Sequence, residues 1–544
     1  MTENNSIHSE SAAFNQAAQT QVEDKNLTNW QTVKKYPFAV YCCFVVIWMF
    51  ILCSFENQAG GIVVSIPEFR KNFGHPYTTS TGETSYVIEA SWQSAFSGVP
   101  IAAGIIGQNV GSLLADRVGK KWLLFAHVLF SVAFVGLEFA ATNVQMFLAG
   151  KTLNGYCVSL IQAVGVTYVA EIAPLRLRGL IVSICNVSFS IGPLICFIIN
   201  YSISERSTSW AYKAVFASQW GFAAVTLPLV IFLPESPWFY ALKGRVDKTE
   251  ECYRKLLRDP VAAHEQAIVA HVTVQQNAEL ERSSSYIDCF RGRDLWRTII
   301  SVVPMVIQPM SGVYFTINYT TYFFELAGYD TPSSFRLTVG SQCLSIGGNI
   351  AAWFVVDRFG RRANLLWGIV LISVTDFIIG GAGCSSNPKA VTTTVAFMVL
   401  YGFCYNLGVG AVAYPIASEN ARSSLRNKTV ALSFSISGAV GMMWSFVLPY
   451  IFNPDQANLG PKTMFIFAGI STLFTIYVYY FQTETANRSF EEIDEMYNNK
   501  VPFRKFKGYQ TEISKVGNEQ IDVGRDEKAQ EAQHLETVET ADSD

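Results

Sequence analysis

Glu56 stands in CSFENQAGG, within a mostly uncharged run from about Phe38 to Gly60. A charged and unpaired carboxylate at the centre of a bilayer costs about 2.5 to 3.5 kcal/mol, so an acid in such a run needs a partner or a proton. Lys151, in another apolar run from Val144 to Tyr168, is a cation that can serve. The plainer alternative leaves Glu56 in an aqueous vestibule and lets Lys151 snorkel outward. Two further acids, Glu138 and Asp376, fall near the ends of apolar runs and read as interfacial. Amides and phenols interrupt other runs at Asn186, Gln308, Tyr314, Asn318 and Tyr414. Polar groups in such places either face a ligand cleft or bond helix to helix.

The elements that must position these residues follow from composition. Hydrophobic residues make up 50% of the 544 and charged residues 15%, against about 25% charged in ordinary soluble domains. Apolar runs long enough to cross a bilayer fall at about Phe38–Gly60, Ala90–Leu114, Trp122–Ala141, Val144–Tyr168, Leu180–Tyr201 and Ala214–Leu233. Six more follow at about Thr298–Leu326, Ser334–Val356, Asn364–Cys384, Val391–Ala417, Thr429–Phe452 and Met464–Phe481. We number these spans 1 to 12. Residues 1–37 carry no apolar core or cleavage site and read as a disordered cytoplasmic tail. Residues 38–233 form a first six-helix bundle, 234–297 a cytoplasmic linker of short amphipathic helices, 298–481 a second bundle and 482–544 a solvated cytoplasmic tail. The net charge of −3 argues against nucleic acid. The eleven cysteines show no paired or metal-ligand spacing and read as small buried hydrophobes. HExxH, GxxxxGK[ST] and GxSxG are absent, so the sequence offers no metalloprotease, P-loop ATPase or serine-hydrolase motif and reads as a non-enzyme without cofactor.

The chain is duplicated. Asp116, Arg117, Gly119, Lys120 and Lys121 in a turn after span 2 recur as Asp357, Arg358, Gly360, Arg361 and Arg362 after span 8, an offset of 241 (357 − 116). Glu171 to Arg178 recurs as Glu419 to Arg426, offset 248 (419 − 171), and PESPWFYALKGR from Pro234 is answered by TETANRSFEEID from Thr483, offset 249 (483 − 234). Two halves of several spans each are the signature of parallel transporter repeats. Lys and Arg crowd the loops after spans 2, 4, 6, 8 and 10, which places both termini in the cytoplasm.

The D-R-x-G-R/K-R/K turns, the E-x6-R pairs, PESP after span 6 and the ETxxRSxEEID-like ending together resemble the sugar-porter family of the major facilitator superfamily. PESPWFYALKGRVD, NYTTYFFELAGY, AVAYPIASE and LRNKT are similar to the fungal maltose and alpha-glucoside permeases. The resemblance implies an all-α membrane protein of twelve helices in two six-helix pseudo-repeats. It implies that Glu56, where such porters carry an aspartate, binds a proton that Lys151, where they carry an arginine, helps release. It places sugar contacts at Asn186 and Gln308 and, through the amide and aromatic character of their spans, at Tyr314, Asn318 and Tyr414. The usual Q-Q-x-x-G-x-N of span 7 is altered here, with Pro309 and Tyr314 at its second Gln and its Asn. It also implies gating ion pairs among Asp116, Arg117, Glu171, Arg178, Asp357, Arg358, Glu419 and Arg426.

The function expected on this basis is proton-coupled uptake of a sugar, an oligosaccharide such as maltose or another alpha-glucoside, by alternating access. A hexose, lactose or cellobiose carrier, a uniporter and a transporter-like sugar sensor are the alternatives. The proton is the only coupling ion called for. The expected partners are the sugar and the lipid bilayer, with the chain acting as a monomer in the plasma membrane.

Overall fold

The computed structural model describes residues 28–511, apart from 79–83, 175, 204–205, 283–284, 386, 454–455, 487 and 489. Among them, twelve helical segments are long and apolar enough to cross a membrane. Spans 1 to 6 are Pro37–Ser65, Ala90–Val118, Lys120–Ala140, Val144–Ile172, Ser183–Ile203 and Trp210–Ile231. Spans 7 to 12 are Gly292–Glu325, Thr331–Val356, Arg361–Ala382, Pro388–Glu419, Arg426–Phe452 and Gly460–Phe481. Twelve crossings return the chain to its starting face, called here the terminal face. Three helices, Pro237–Leu242, Val246–Leu257 and Pro260–Arg282, lie between the halves in sequence. The loop after span 1 is built from a helix, Pro67–Phe73, and an antiparallel hairpin that pairs His75–Thr78 with Thr84–Val87.

In lipid, the hydrophobic effect gives little drive for helix to meet helix, so small residues and interhelical bonds set the packing. Spans 2 and 4 show this. A Cβ on Gly107 would lie 2.3 Å from the Tyr156 carbonyl oxygen, and one on Gly155 would lie 2.9 Å from Pro100 Cβ. Apolar side chains fill what remains: one buried cluster in the first half runs from Tyr36 through Phe50 to Tyr168, and one in the second half centres on Phe315, Phe324, Phe452 and Phe467.

Two spans of the second half are broken. Span 7 passes Pro304 and Pro309 and turns at Ser311 and Gly312, whose φ of +88° is a left-handed value that suits glycine. The Tyr401 hydroxyl donates to the freed Ser311 carbonyl, which satisfies the backbone where the helix stops. Span 10 breaks at Gly408 between Pro388–Leu407 and Val409–Glu419. There the backbone of Gly368 on span 9 comes so near that a Cβ on Gly408 would sit 2.3 Å from its Cα.

Three expectations need correction. Residues 29–35 of the expected disordered tail form a helix capped by Thr28, whose hydroxyl and backbone are bonded reciprocally with Gln31. Span 7 begins at Gly292 rather than 298, because Arg297 is buried, donating to the Asn420 carbonyl at 3.0 Å and to Asp494 at 2.5 Å. The expected solvated tail folds back as Phe490–Asn498 and Phe503–Gly508, burying Ile493, Met496 and Phe506 against Ile300. Residues 1–27 and 512–544 lie outside the described residues.

Candidate functional site

Glu56 and Lys151 meet inside the first half. Glu56 is 1% exposed and Lys151 4%. The Lys151 ammonium donates to Glu56 Oε1 and, at 2.7 Å, to the Glu56 carbonyl oxygen. Gln219 on span 6 donates to Glu56 Oε2 at 2.6 Å, so both carboxylate oxygens have a donor. The pair is possible because of Gly60. A Cβ there would lie 2.1 Å from Lys151 Cε, so any larger residue displaces the lysine. Gln219 escaped the sequence reading, since a lone amide in an apolar run carries no spacing signal.

Glu138 and Asp376 are both buried within the protein. Glu138 is 1% exposed, held by Asn154 on span 4, and Asp376 is fully buried with neither oxygen bonded among the described residues.

The amides and phenols divide. Gln308 lies at the end of the first helix of span 7, half-buried, and its Nε2 has no partner among the described residues. Tyr314, past the break, points its hydroxyl at Gly441 of span 11, where a Cβ would lie 2.3 Å away. Tyr414 stays 47% exposed beside Phe434. Asn318 faces span 1: its Oδ1 is 2.9 Å from the place a Cβ on Gly61 would take. Adjacent glycines of span 1 thus touch the buried ion pair on one side and span 7 on the other. Asn186 is exposed on span 5 and makes no hydrogen bond among the described residues.

The halves are tied from mid-span to the face opposite the termini. Gln342 donates to the Ser190 carbonyl at 2.9 Å, Gln58 to the Ile317 carbonyl at 3.1 Å and Ser94 to the Phe446 carbonyl at 2.8 Å. Arg70, after span 1, pairs with Glu325 at 2.8 Å and lies over the Tyr322 ring. None of these ties was read from the sequence, for each depends on which spans the fold brings together.

At the terminal face the repeated motifs become one construction made twice. Glu235 of PESP accepts the backbone N–H groups of Lys120, Lys121 and Ser236 at 2.8, 3.2 and 3.0 Å. Glu484 accepts those of Arg361, Arg362 and Ala486 at 2.9, 3.2 and 3.1 Å. Each acid therefore caps the start of span 3 or span 9. Gly119 (φ +101°) and Gly360 (φ +90°) make room, since a Cβ would lie 2.5 or 2.6 Å from the acid. Burial pushes the Glu235 carboxyl above its usual range, against the lowering effect of its N–H donors. Glu171 pairs with Lys120 and accepts the Ser236 hydroxyl; Glu419 pairs with Arg361 at 3.4 Å and accepts the Thr485 hydroxyl. The cations that meet these acids are thus Lys120 and Arg361. Arg117 and Arg358 are exposed and make no ion pair among the described residues, Asp116 and Arg426 lie at the same face, and the side chains of Arg178 and Asp357 lie outside the description.

The profile of the family described as "Sugar (and other) transporter" matches residues 32–497. The chain belongs to that family. A general alpha-glucoside permease of Saccharomyces cerevisiae is 29% identical over 514 residues, 93% of this chain and 82% of its own. A maltose permease of Saccharomyces cerevisiae is 28% identical over 504 residues, 91% of this chain and 81% of its own. The fold is that of the E. coli xylose transporter in its inward-open conformation, with a TM-score of 0.68 at 19% identity over 84% of this chain and 99% of that one. The sugar porter is a multi-pass membrane protein of the major facilitator fold.

Proposed function

We propose that this sugar porter takes up an alpha-glucoside such as maltose together with a proton, by alternating access, as a monomer in the plasma membrane with both termini in the cytoplasm. The names of its permease relatives support the substrate class. The buried Glu56–Lys151 pair carries the coupling, because a membrane protein keeps an acid at 1% exposure only with a counter-charge or a proton, and the two can alternate. With Lys151 in place Glu56 is an anion with both oxygens satisfied. If the alternating motion draws the lysine away, the carboxyl must take a proton. The Gly60–Gly61 seam supports a link to sugar, since it touches Lys151 and Asn318 at once. Gln308, with a spare amide N–H, is the leading hydroxyl partner on span 7, joined by Tyr314, Asn318 and Tyr414, with Asn186 from span 5. The ties opposite the termini then close the outside, and the described state faces inward. Outward-facing closure falls to the terminal-face set of Asp116, Arg117, Glu171, Arg178, Asp357, Arg358, Glu419 and Arg426.

One proton crossing about 100 mV carries about 2.3 kcal/mol, enough for roughly fifty-fold accumulation before any pH gradient is added. Glu56→Gln should abolish concentrative uptake and its stimulation by acid, relative to sugar exchange in counterflow. Uphill uptake by Glu56→Gln at the wild-type level would remove the pair from the mechanism. An uptake panel of maltose, trehalose, sucrose, lactose and glucose in a transporter-deficient host identifies the sugar.

A further inference from the structure

The buried ion pair has a third charged neighbour. Glu138 on span 3 is in electrostatic contact with both Glu56 and Lys151, and its carboxyl lies within hydrogen-bond reach of the Glu56 carboxyl. Gly150 lets it in, for a Cβ there would be 3.0 Å from Glu138 Cγ. Its Oε1 receives a long bond of 3.4 Å from Asn154 Nδ2, while Asn154 Oδ1 takes the Ser131 hydroxyl at 2.7 Å. Its Oε2 has no partner among the described residues. The groups around the cluster are Cys53 and Glu56 from span 1, Lys151 from span 4, Cys196 from span 5 and Gln219 from span 6. Lys151 is the only cation in that set.

Two carboxyls and one ammonium, none more than 4% exposed, leave one negative charge too many if all are ionised. An uncompensated charge at such a site costs several kcal/mol, and adjacent carboxyls repel. A proton removes both penalties. Glu56 has no need of it, since Lys151 and Gln219 satisfy both its oxygens, whereas Glu138 has an oxygen with no donor. We infer that Glu138 is a second proton-binding site, which holds a proton while Lys151 is paired with Glu56 and passes it to Glu56 when that pair separates. In the transfer an O–H bond breaks at Glu138 and one forms at Glu56; the returning lysine displaces that proton from Glu56 to water on the inner side, and a proton from water on the outer side restores Glu138. This rests on the proton-coupled reading above and adds to it a carboxyl from span 3.

The test is Glu138→Gln, with sugar-induced proton uptake, accumulation and counterflow measured on the same cells over a range of pH. We expect proton uptake and accumulation to fall tenfold or more relative to counterflow, and the pH dependence of exchange to flatten. A proton-to-sugar ratio and pH profile equal to wild type, with coupling still lost in Glu56→Gln, would overturn this inference alone. No sugar-induced proton uptake in the wild type would overturn the coupled reading and this inference with it. Should Glu138→Gln fail to reach the surface, Glu138→Asp keeps a titratable group one methylene shorter. It should remain coupled with a displaced pH profile, and an unshifted profile would count against the proposal.

Discussion

The two halves share an architecture and differ in where they place charge and where they break. Spans 1, 3, 4 and 6 of the first half bring together Glu56, Glu138, Lys151 and Gln219, all buried. At the repeat offsets, the second half has Ile379 for Glu138 (138 + 241), Val399 for Lys151 (151 + 248) and Ala468 for Gln219 (219 + 249). Its buried acid, Asp376, has neither oxygen bonded among the described residues. The second half instead interrupts spans 7 and 10, at Ser311–Gly312 and at Gly408, and those spans carry Gln308, Tyr314, Asn318 and Tyr414. On the function proposed above, the duplication is divided between tasks: one half handles the ion, and the other, through broken helices, presents groups to a polyhydroxylated ligand. The terminal-face cap, needed in both halves to hold a turn, has stayed the same in each.

The comparison breaks most visibly at Lys151. Lys151→Ala leaves Glu56 buried without its cation, and losing one partner of a buried pair costs about 3 to 5 kcal/mol. Folded protein at the surface and the melting temperature in detergent should both drop, and Glu56→Gln in the same chain should recover most of the loss. Failure of the double variant to recover would mean that the lysine is needed for packing and not for charge.

Gly60→Ala comes next. The new methyl would lie 2.1 Å from Lys151 Cε, so the lysine must move, at about 1 to 3 kcal/mol of overpacking. Accumulation should fall with stability. Gly221→Ala, with nothing within 4 Å of the added carbon, is the control and should behave as wild type. Equal effects of the two changes would deny Gly60 its role.

Gln308→Ala sharpens the contrast from the other half. An unpaired sugar hydroxyl costs about 1 to 3 kcal/mol, a rise in apparent KM of about tenfold or more. The proton-to-sugar ratio should not change. A changed ratio with unchanged KM would place Gln308 on the ion path.

What the sequence disclosed follows from what each signal depends on. The spans were legible because a bilayer demands about 20 apolar residues, and the duplication because three landmarks recur in order. Span 7 was read short because Arg293, Asp294 and Arg297 disguise its first turns, although Arg297 is buried by the returning tail. That tail reads as solvated chain because it is polar and ends acidic, which hides the three apolar residues Ile493, Met496 and Phe506 that it buries. Glu56 and Lys151 stood out because charge in lipid is costly in any fold. Glu138 was visible as an acid near a span end, but its place in the cluster was not, because its burial depends on Gly150 and Asn154 of the next span. The cap made by Glu235 could not be foreseen from PESP, since its partners lie over a hundred residues earlier, at Lys120 and Lys121.

The central claim is that the first half carries a proton for each cycle in which the second half carries a sugar. A weakly buffered suspension of cells expressing the protein, given its transported sugar, tests this with a pH electrode. The account predicts a prompt alkalinisation of the medium, absent in Glu56→Gln and absent with a sugar that is not transported. A sugar that enters at the wild-type rate with no change in external pH would contradict it.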